Sequence, residues 1–159
     1  DIFCLDINYF RLDFAKKFDI TESIRSDDPD AYQKILSKTQ NRGVDIAMVA
    51  TGNVNAIAQA IDFVRKGGTV MLFGVPTKDV KMSLEMSKVY SKEITITPSY
   101  AASENDTNEA FRMIEQGIIN VKKLITHKFD LVDSAKALDY AHQGNDSMKI
   151  IITNSETLN

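Results

Sequence analysis

The sequence is short of the features that tie chains together, send them into membranes or draw them to nucleic acid. One cysteine, Cys4, stands in 159 residues, so no internal disulfide can form, and a free thiol suits a reducing compartment. No apolar run approaches the roughly 20 residues that a membrane helix needs. Charge of one sign is missing too. The net charge is −3 and the only lysine runs are the pairs Lys16-Lys17 and Lys122-Lys123, which argues against a phosphate-backbone binder. The first residues show no basic segment leading into an apolar run and a small-residue cleavage site. No secretory signal is therefore visible, and a cytoplasmic location is the expectation.

What is present is a regular alternation. Ile2-Phe3-Cys4-Leu5 is a short apolar run ending in Asp6, as a buried parallel strand reads. Asn8 is placed to cap a helix on which Phe10, Phe14 and Phe18 share one face. A weaker strand spans 20–25. Pro29 suits the first turn of a helix that carries Tyr32, Ile35 and Leu36 as far as Gly43. The segment 44–50 reads as a strand broken by Thr51-Gly52-Asn53. A helical stripe of Val54, Ile57, Ala58, Ile61 and Val64 then runs to Gly67-Gly68. A strand over 69–75 closes at Pro76. Strand, helix and strand in about thirty residues make a βαβ unit, which implies a right-handed crossover and a parallel sheet.

The second half repeats the pattern. A short helix over 83–90 leads to Glu93-Ile94-Thr95-Ile96-Thr97, whose β-branched residues favour a strand. A helix over 108–116, a strand at 124–126, a helix capped by Asp133 and ending near Gly144, and a strand over 149–153 complete the order, followed by a polar tail. No repeat or linker interrupts it. The expected fold is one α/β domain with a doubly wound parallel sheet, spanning 1–159.

In such sheets ligands bind beyond the carboxyl ends of the strands. Asp6 closes the first strand, where an acid can accept hydrogen bonds from both hydroxyls of a ribose. It can equally cap the next helix. Arg11, one turn further on, could reach the same ribose or stay solvated. Thr51-Gly52 and Gly74-Val75-Pro76 end two further strands, and glycine there lets a backbone or a flat ring approach closely. His127 and His142 lack the spacing of zinc ligands, and Cys4 is expected to be a buried structural thiol.

The strings Leu5-Asp6-Ile7-Asn8-Tyr9-Phe10-Arg11, Ala50-Thr51-Gly52, Arg65-Lys66-Gly67-Gly68-Thr69-Val70, Phe73-Gly74-Val75-Pro76, Leu124-Ile125-Thr126-His127-Lys128-Phe129 and Met148-Lys149-Ile150-Ile151 follow one another along nearly the whole chain. Together they resemble the medium-chain, zinc-dependent alcohol and polyol dehydrogenases, nearest the sorbitol and threonine dehydrogenase branch. The resemblance implies a Rossmann-like fold that lacks its first strand and Gly-rich turn. It implies that Asp6 takes the adenosine ribose of NAD and repels the 2′-phosphate of NADP. Ile7 would lie against the adenine or ribose, with Arg11 beside the ribose. Ala50, Thr51 and Gly52 would line the cofactor. Phe73, Gly74 and Val75 would face the nicotinamide carboxamide, with the Tyr100 backbone beside them, and Lys149 would set a cation against the pyrophosphate.

By the same resemblance, the catalytic zinc and its ligands belong to an earlier domain of the parent protein and not to these residues. The expected reaction is hydride transfer from a secondary alcohol or polyol to NAD, with the 159-residue chain inactive alone. Alternatives are a zinc-free quinone or enoyl reductase of the same fold, or a non-catalytic module for nucleotide sensing or assembly. The family's dimers imply a homodimer through Glu93, Ile94, Thr95, Ile96 and Thr97. No nucleic acid or membrane partner is expected.

Overall fold

The computed structural model describes residues 1–154, so the polar tail over 155–159 lies outside the described residues. The molecule is α/β, and every strand pair in it is parallel. Among the described residues the strands form three ladders, β1-β2, β3-β4-β5 and β6-β7. Two compact units hold them: residues 26–101 make one, and residues 1–25 with the segment from Ala102 onward make the other. Among the described residues no helix is long and apolar enough to cross a membrane.

The unit over 26–101 is built on the βαβ pattern read from the sequence. β3 (Val44–Val49) leads into α3 (Val54–Phe63), and α3 into β4 (Val64–Leu72), which lies between β3 and β5 (Thr95–Pro98). Asn53 caps α3 through the Asn55 N–H at 2.9 Å. The apolar stripe of α3 then packs Ile57, Ala60 and Ile61 onto Val49, Val64, Val70 and Ile94 to form the core. α2 (Ala31–Lys38) adds buried Ile35, and Tyr32 stacks on Phe63 with ring centroids 5.9 Å apart.

Several boundaries differ from the sequence reading. The α3 helix ends at Phe63, and Val64 is already strand, pairing with Val44. A bulge separates that pair from Ile46 and Thr69, and Gly67 inside it takes φ +67°, a turn that glycine adopts without strain. Apolar Val64 fits either period, so helical spacing alone placed it in α3. The α2 helix stops five residues short of Gly43, where Gln40 and Asn41 turn left-handed, and Pro29 lies outside it. The expected helix over 83–90 is α4 (Met86–Lys92). Glu93, expected in β5, is instead the left-handed cap of α4 (φ 54°), and Ile94 is buried ahead of the strand.

The other unit pairs β1 (Phe3–Asp6) with β2 (Glu22–Arg25), joined by α1 (Tyr9–Ala15). Phe10, Phe14 and Phe18 pack in series at 5.9 Å, although Phe18 lies past the end of α1. α5 (Glu104–Glu115) starts four residues before the expected position. Its start is a capping box in which Ser103 and Asp106 each satisfy the other's backbone N–H. β6 (Ile125–Asp130) pairs with β7 (Lys149–Thr153) across α6 (Ser134–Gln143). Asp133 stands at the head of α6 but makes no side-chain cap bond, whereas Gly144 ends the helix in the left-handed conformation expected of it (φ 61°). Cys4 lies in β1 half-buried rather than fully buried, and burial together with the Asp6 carboxylate raises its thiol pKa.

Candidate functional site

Asp6, Ile7 and Arg11 come together at the carboxyl end of β1. The chain turns there into α1, and the Asn8 backbone N–H donates to Asp6 Oδ1 at 2.9 Å. Asp6 therefore does cap the turn, and with only one oxygen. Its other oxygen, Oδ2, faces Arg11 Nη1 at 3.7 Å, and the carboxylate is partly open to solvent. Ile7 beside it leaves 66% of its surface exposed. Tyr9 stands on the same exposed shoulder, with the Arg25 guanidinium 4.2 Å above its ring. An acceptor with a spare oxygen, a cation and a bare apolar surface make a donor set that suits a nucleoside: hydroxyls for the acid, a flat base for the isoleucine.

Lys149 belongs to the same unit and opens β7, opposite Ile125. The turn before it is held by hydrogen bonds that sequence reasoning missed. Thr126 Oγ1 accepts the Met148 N–H at 3.1 Å and lies 3.0 Å from His127 Nδ1. Tyr140 donates to Asp146 at 2.6 Å and lies 3.3 Å from His127 Nε2. That bond to Asp146 raises the Tyr140 pKa above its ordinary range. His127 is thus part of a four-residue hydrogen-bonded group. No local spacing announces it, because its members come from β6, α6 and the turn after α6.

In the other unit, the ends of β3 and β4 converge. Phe73 and Gly74 both donate their N–H to the Val49 carbonyl, at 3.0 and 2.8 Å. A Cβ on Gly74 would lie under 3.0 Å from the Thr51 backbone, and one on Gly52 under 3.0 Å from Val75 and Pro76. The two glycines are required because the backbones of 50–52 and 73–76 touch. Ala50, Thr51, Phe73 and Val75 are exposed around this contact. Tyr100, two residues beyond β5, is exposed as well. The structure therefore brings the sequence-selected residues into three patches: Asp6 with Ile7 and Arg11, Lys149 by its turn, and 50–52 with 73–75.

Among the described residues no three His, Cys, Asp or Glu side chains converge as metal ligands. Those residues do not fit a zinc ion. The carboxylate of Asp6, the cation of Arg11 and the exposed Ile7 are instead groups that suit a nucleoside.

Parallel α/β folds of this kind bind ligands beyond the carboxyl ends of their strands, where these polar and bare apolar groups lie. Residues 1–116 match the family model described as zinc-binding dehydrogenase, and the chain belongs to that family. It is 29% identical over 152 residues to sorbitol dehydrogenase of Bacillus subtilis (strain 168), covering 95% of this chain and 42% of that protein. The structure is similar to zinc-dependent alcohol dehydrogenase 2 from Streptococcus pneumonia in its apo form, with a TM-score of 0.85, 28% identity, and 99% of this chain against 45% of that one. It is also similar to an Escherichia coli CFT073 alcohol dehydrogenase complexed with cofactor NADH, with a TM-score of 0.83, 18% identity, and 96% of this chain against 44% of that one. The fold is the Rossmann-like one of the C-terminal part of such dehydrogenases. The chain spans about two fifths of the length of these relatives.

Proposed function

We propose that this chain is the dinucleotide-holding part of an NAD-dependent alcohol or polyol dehydrogenase that moves hydride from a secondary alcohol to NAD. One observation carries the reading. The Asp6 carboxylate sits at a strand end with Oδ2 held only by a 3.7 Å ion pair, beside an exposed isoleucine. Two ribose hydroxyls can donate to such a carboxylate, whereas a 2′-phosphate would meet like charge. The chemistry that NAD supplies when bound is hydride acceptance.

The residues of this chain bind and orient. Ile7 covers the adenosine and Arg11 flanks the ribose. Ala50, Thr51 and Gly52 line the cofactor, and Lys149 offers a cation to the pyrophosphate. The backbones of Phe73, Gly74, Val75 and Tyr100 face the carboxamide. The reaction is proposed for the whole protein that carries these residues, with a cytoplasmic location. The 159 residues by themselves are proposed to be inactive, since the relatives they match are more than twice as long. Steady zinc-dependent turnover by the 159 residues alone would overturn that last point.

Calorimetric titration of the full-length protein with NAD and NADP tests the reading. NAD is expected to bind and NADP to bind more weakly. Asp6→Ala removes charge-assisted hydrogen bonds and should weaken NAD roughly ten- to a hundredfold. Equal affinity for both cofactors, unchanged by Asp6→Ala, sinks the assignment.

A homodimer through β5 is the proposed assembly. Among the described residues β5 pairs only with β4, and Thr95 is exposed on it. A free parallel edge of this kind invites a partner strand. Light scattering should report twice the monomer mass; a monomer at high concentration removes the proposal.

A further inference from the structure

We propose that Asn8 is a positioning residue that ties the ribose side of the cofactor site to the pyrophosphate side, a role that rests on the NAD reading above. As the N-cap of α1, Asn8 accepts the Arg11 N–H at 3.3 Å through its side-chain oxygen. That much is ordinary capping. Its Nδ2 does something a cap does not require: it donates to the Gly144 carbonyl at 3.1 Å and the Asn145 carbonyl at 2.8 Å. Both carbonyls belong to the turn between α6 and β7, which delivers Lys149.

Arg11 reaches the same turn. Its Nη2 donates to the Gly144 carbonyl at 3.5 Å, while Nη1 lies 3.7 Å from Asp6 Oδ2. The Asn8 N–H closes the circle on Asp6 Oδ1. Asp6, Asn8, Arg11 and Gly144 thus form a ring of polar contacts around one side chain. Gly144 fits it closely: a Cβ there would come 3.2 Å from Arg11 Nη2. The far end of the turn is fixed independently, by Tyr140 on Asp146 and Thr126 on Met148. Asn8 therefore supplies two of the three side-chain bonds that hold the start of the turn, and Arg11 the third. Losing them leaves the start of the turn held by Arg11 alone, and so loosens both the Arg11 contact and the segment that leads to Lys149.

Serine at position 8 separates the two roles of Asn8. It keeps the cap acceptor but is too short to reach the turn. Asn8→Asp keeps the size and the acceptor, and replaces the amide donors by a carboxylate oxygen that the Gly144 and Asn145 carbonyls repel. The experiment uses the full-length protein with Asn8→Ser, Asn8→Asp, Lys149→Ala and the double variant Asn8→Ser/Lys149→Ala. Amide hydrogen exchange is read without cofactor, and NAD affinity by calorimetry.

With either Asn8 variant, exchange at the hydrogen-bonded Gly144 and Met148 N–H groups should rise about tenfold while α1 keeps its protection, the expected loss of one to two hydrogen bonds. NAD should weaken about tenfold in Asn8→Ser. Lys149→Ala should then cost less in that background than in the wild type, because residues that act through one another are not additive. Unchanged exchange in the turn, or fold-changes that simply multiply, overturns the role. NAD binding lost in Asp6→Ala but untouched in Asn8→Ser overturns the positioning role alone. A full-length wild type that binds no NAD overturns the NAD reading, and this role with it.

Discussion

At the scale of single residues, two features have measurable consequences besides cofactor binding. Gly74 is held against the Thr51 backbone, and a methyl group there has no flexible neighbour to displace. Gly74→Ala should therefore destabilise the protein by about 1–3 kcal/mol, the range for forced overpacking, read as a lower urea midpoint. Tyr140 shows the sign of a proton-linked contact. Its pKa is raised in the folded state by the bond to Asp146, so the stabilisation is complete below the ordinary tyrosine range and is lost as pH rises through the folded value. Absorbance titration should show a tyrosine step above the ordinary range, and Tyr140→Phe should remove that late step. A late step that survives Tyr140→Phe would place the shift elsewhere.

Elements are decided by their ends more than by their middles. α5 begins where Ser103 and Asp106 satisfy each other, and nothing in its apolar spacing marks that start as clearly. Ser103→Ala should cost about 1 kcal/mol by the usual worth of an N-cap, with the fraying confined to the first turn of α5 in amide exchange. The Asp106 carboxyl is held below its usual value by the Ser103 hydroxyl and backbone. Its contribution is therefore present above the ordinary carboxylate range and lost as pH falls through the folded value. The start of β4 teaches the opposite lesson. Val64 continues the apolar stripe of α3 and was readable as helix, yet pairing with Val44 makes it strand. A buried apolar residue satisfies both periods, and only the partner strand distinguishes them.

For the whole molecule, the 26–101 unit depends on the packing of α3 against its sheet. Ile61 is almost wholly buried in that core, and Ile61→Ala should lower stability by about 2–5 kcal/mol. A ligand that binds only the folded protein opposes such losses by mass action. NAD at a hundred times its Kd should return about 2.7 kcal/mol, and NADP at the same concentration less. Equal protection by the two cofactors in thermal melts would count against the role given to Asp6.

The sequence by itself determined the alternation of strands and helices, their parallel pairing, and the residues worth testing at the strand ends. These are local facts: apolar runs of strand length, helical spacing, Asn8 as a cap, and glycine where chains turn. Tertiary structure alone decided which of those residues meet. Gly52 and Gly74 are required because two strand ends touch. Asn8 holds a turn more than 130 residues away. Thr126, His127, Tyr140 and Asp146 join from three elements into one hydrogen-bonded group. The physical reason is the same in each case. A polar side chain takes whichever partner the fold brings within about 3 Å, and its own neighbours in sequence carry no record of that partner.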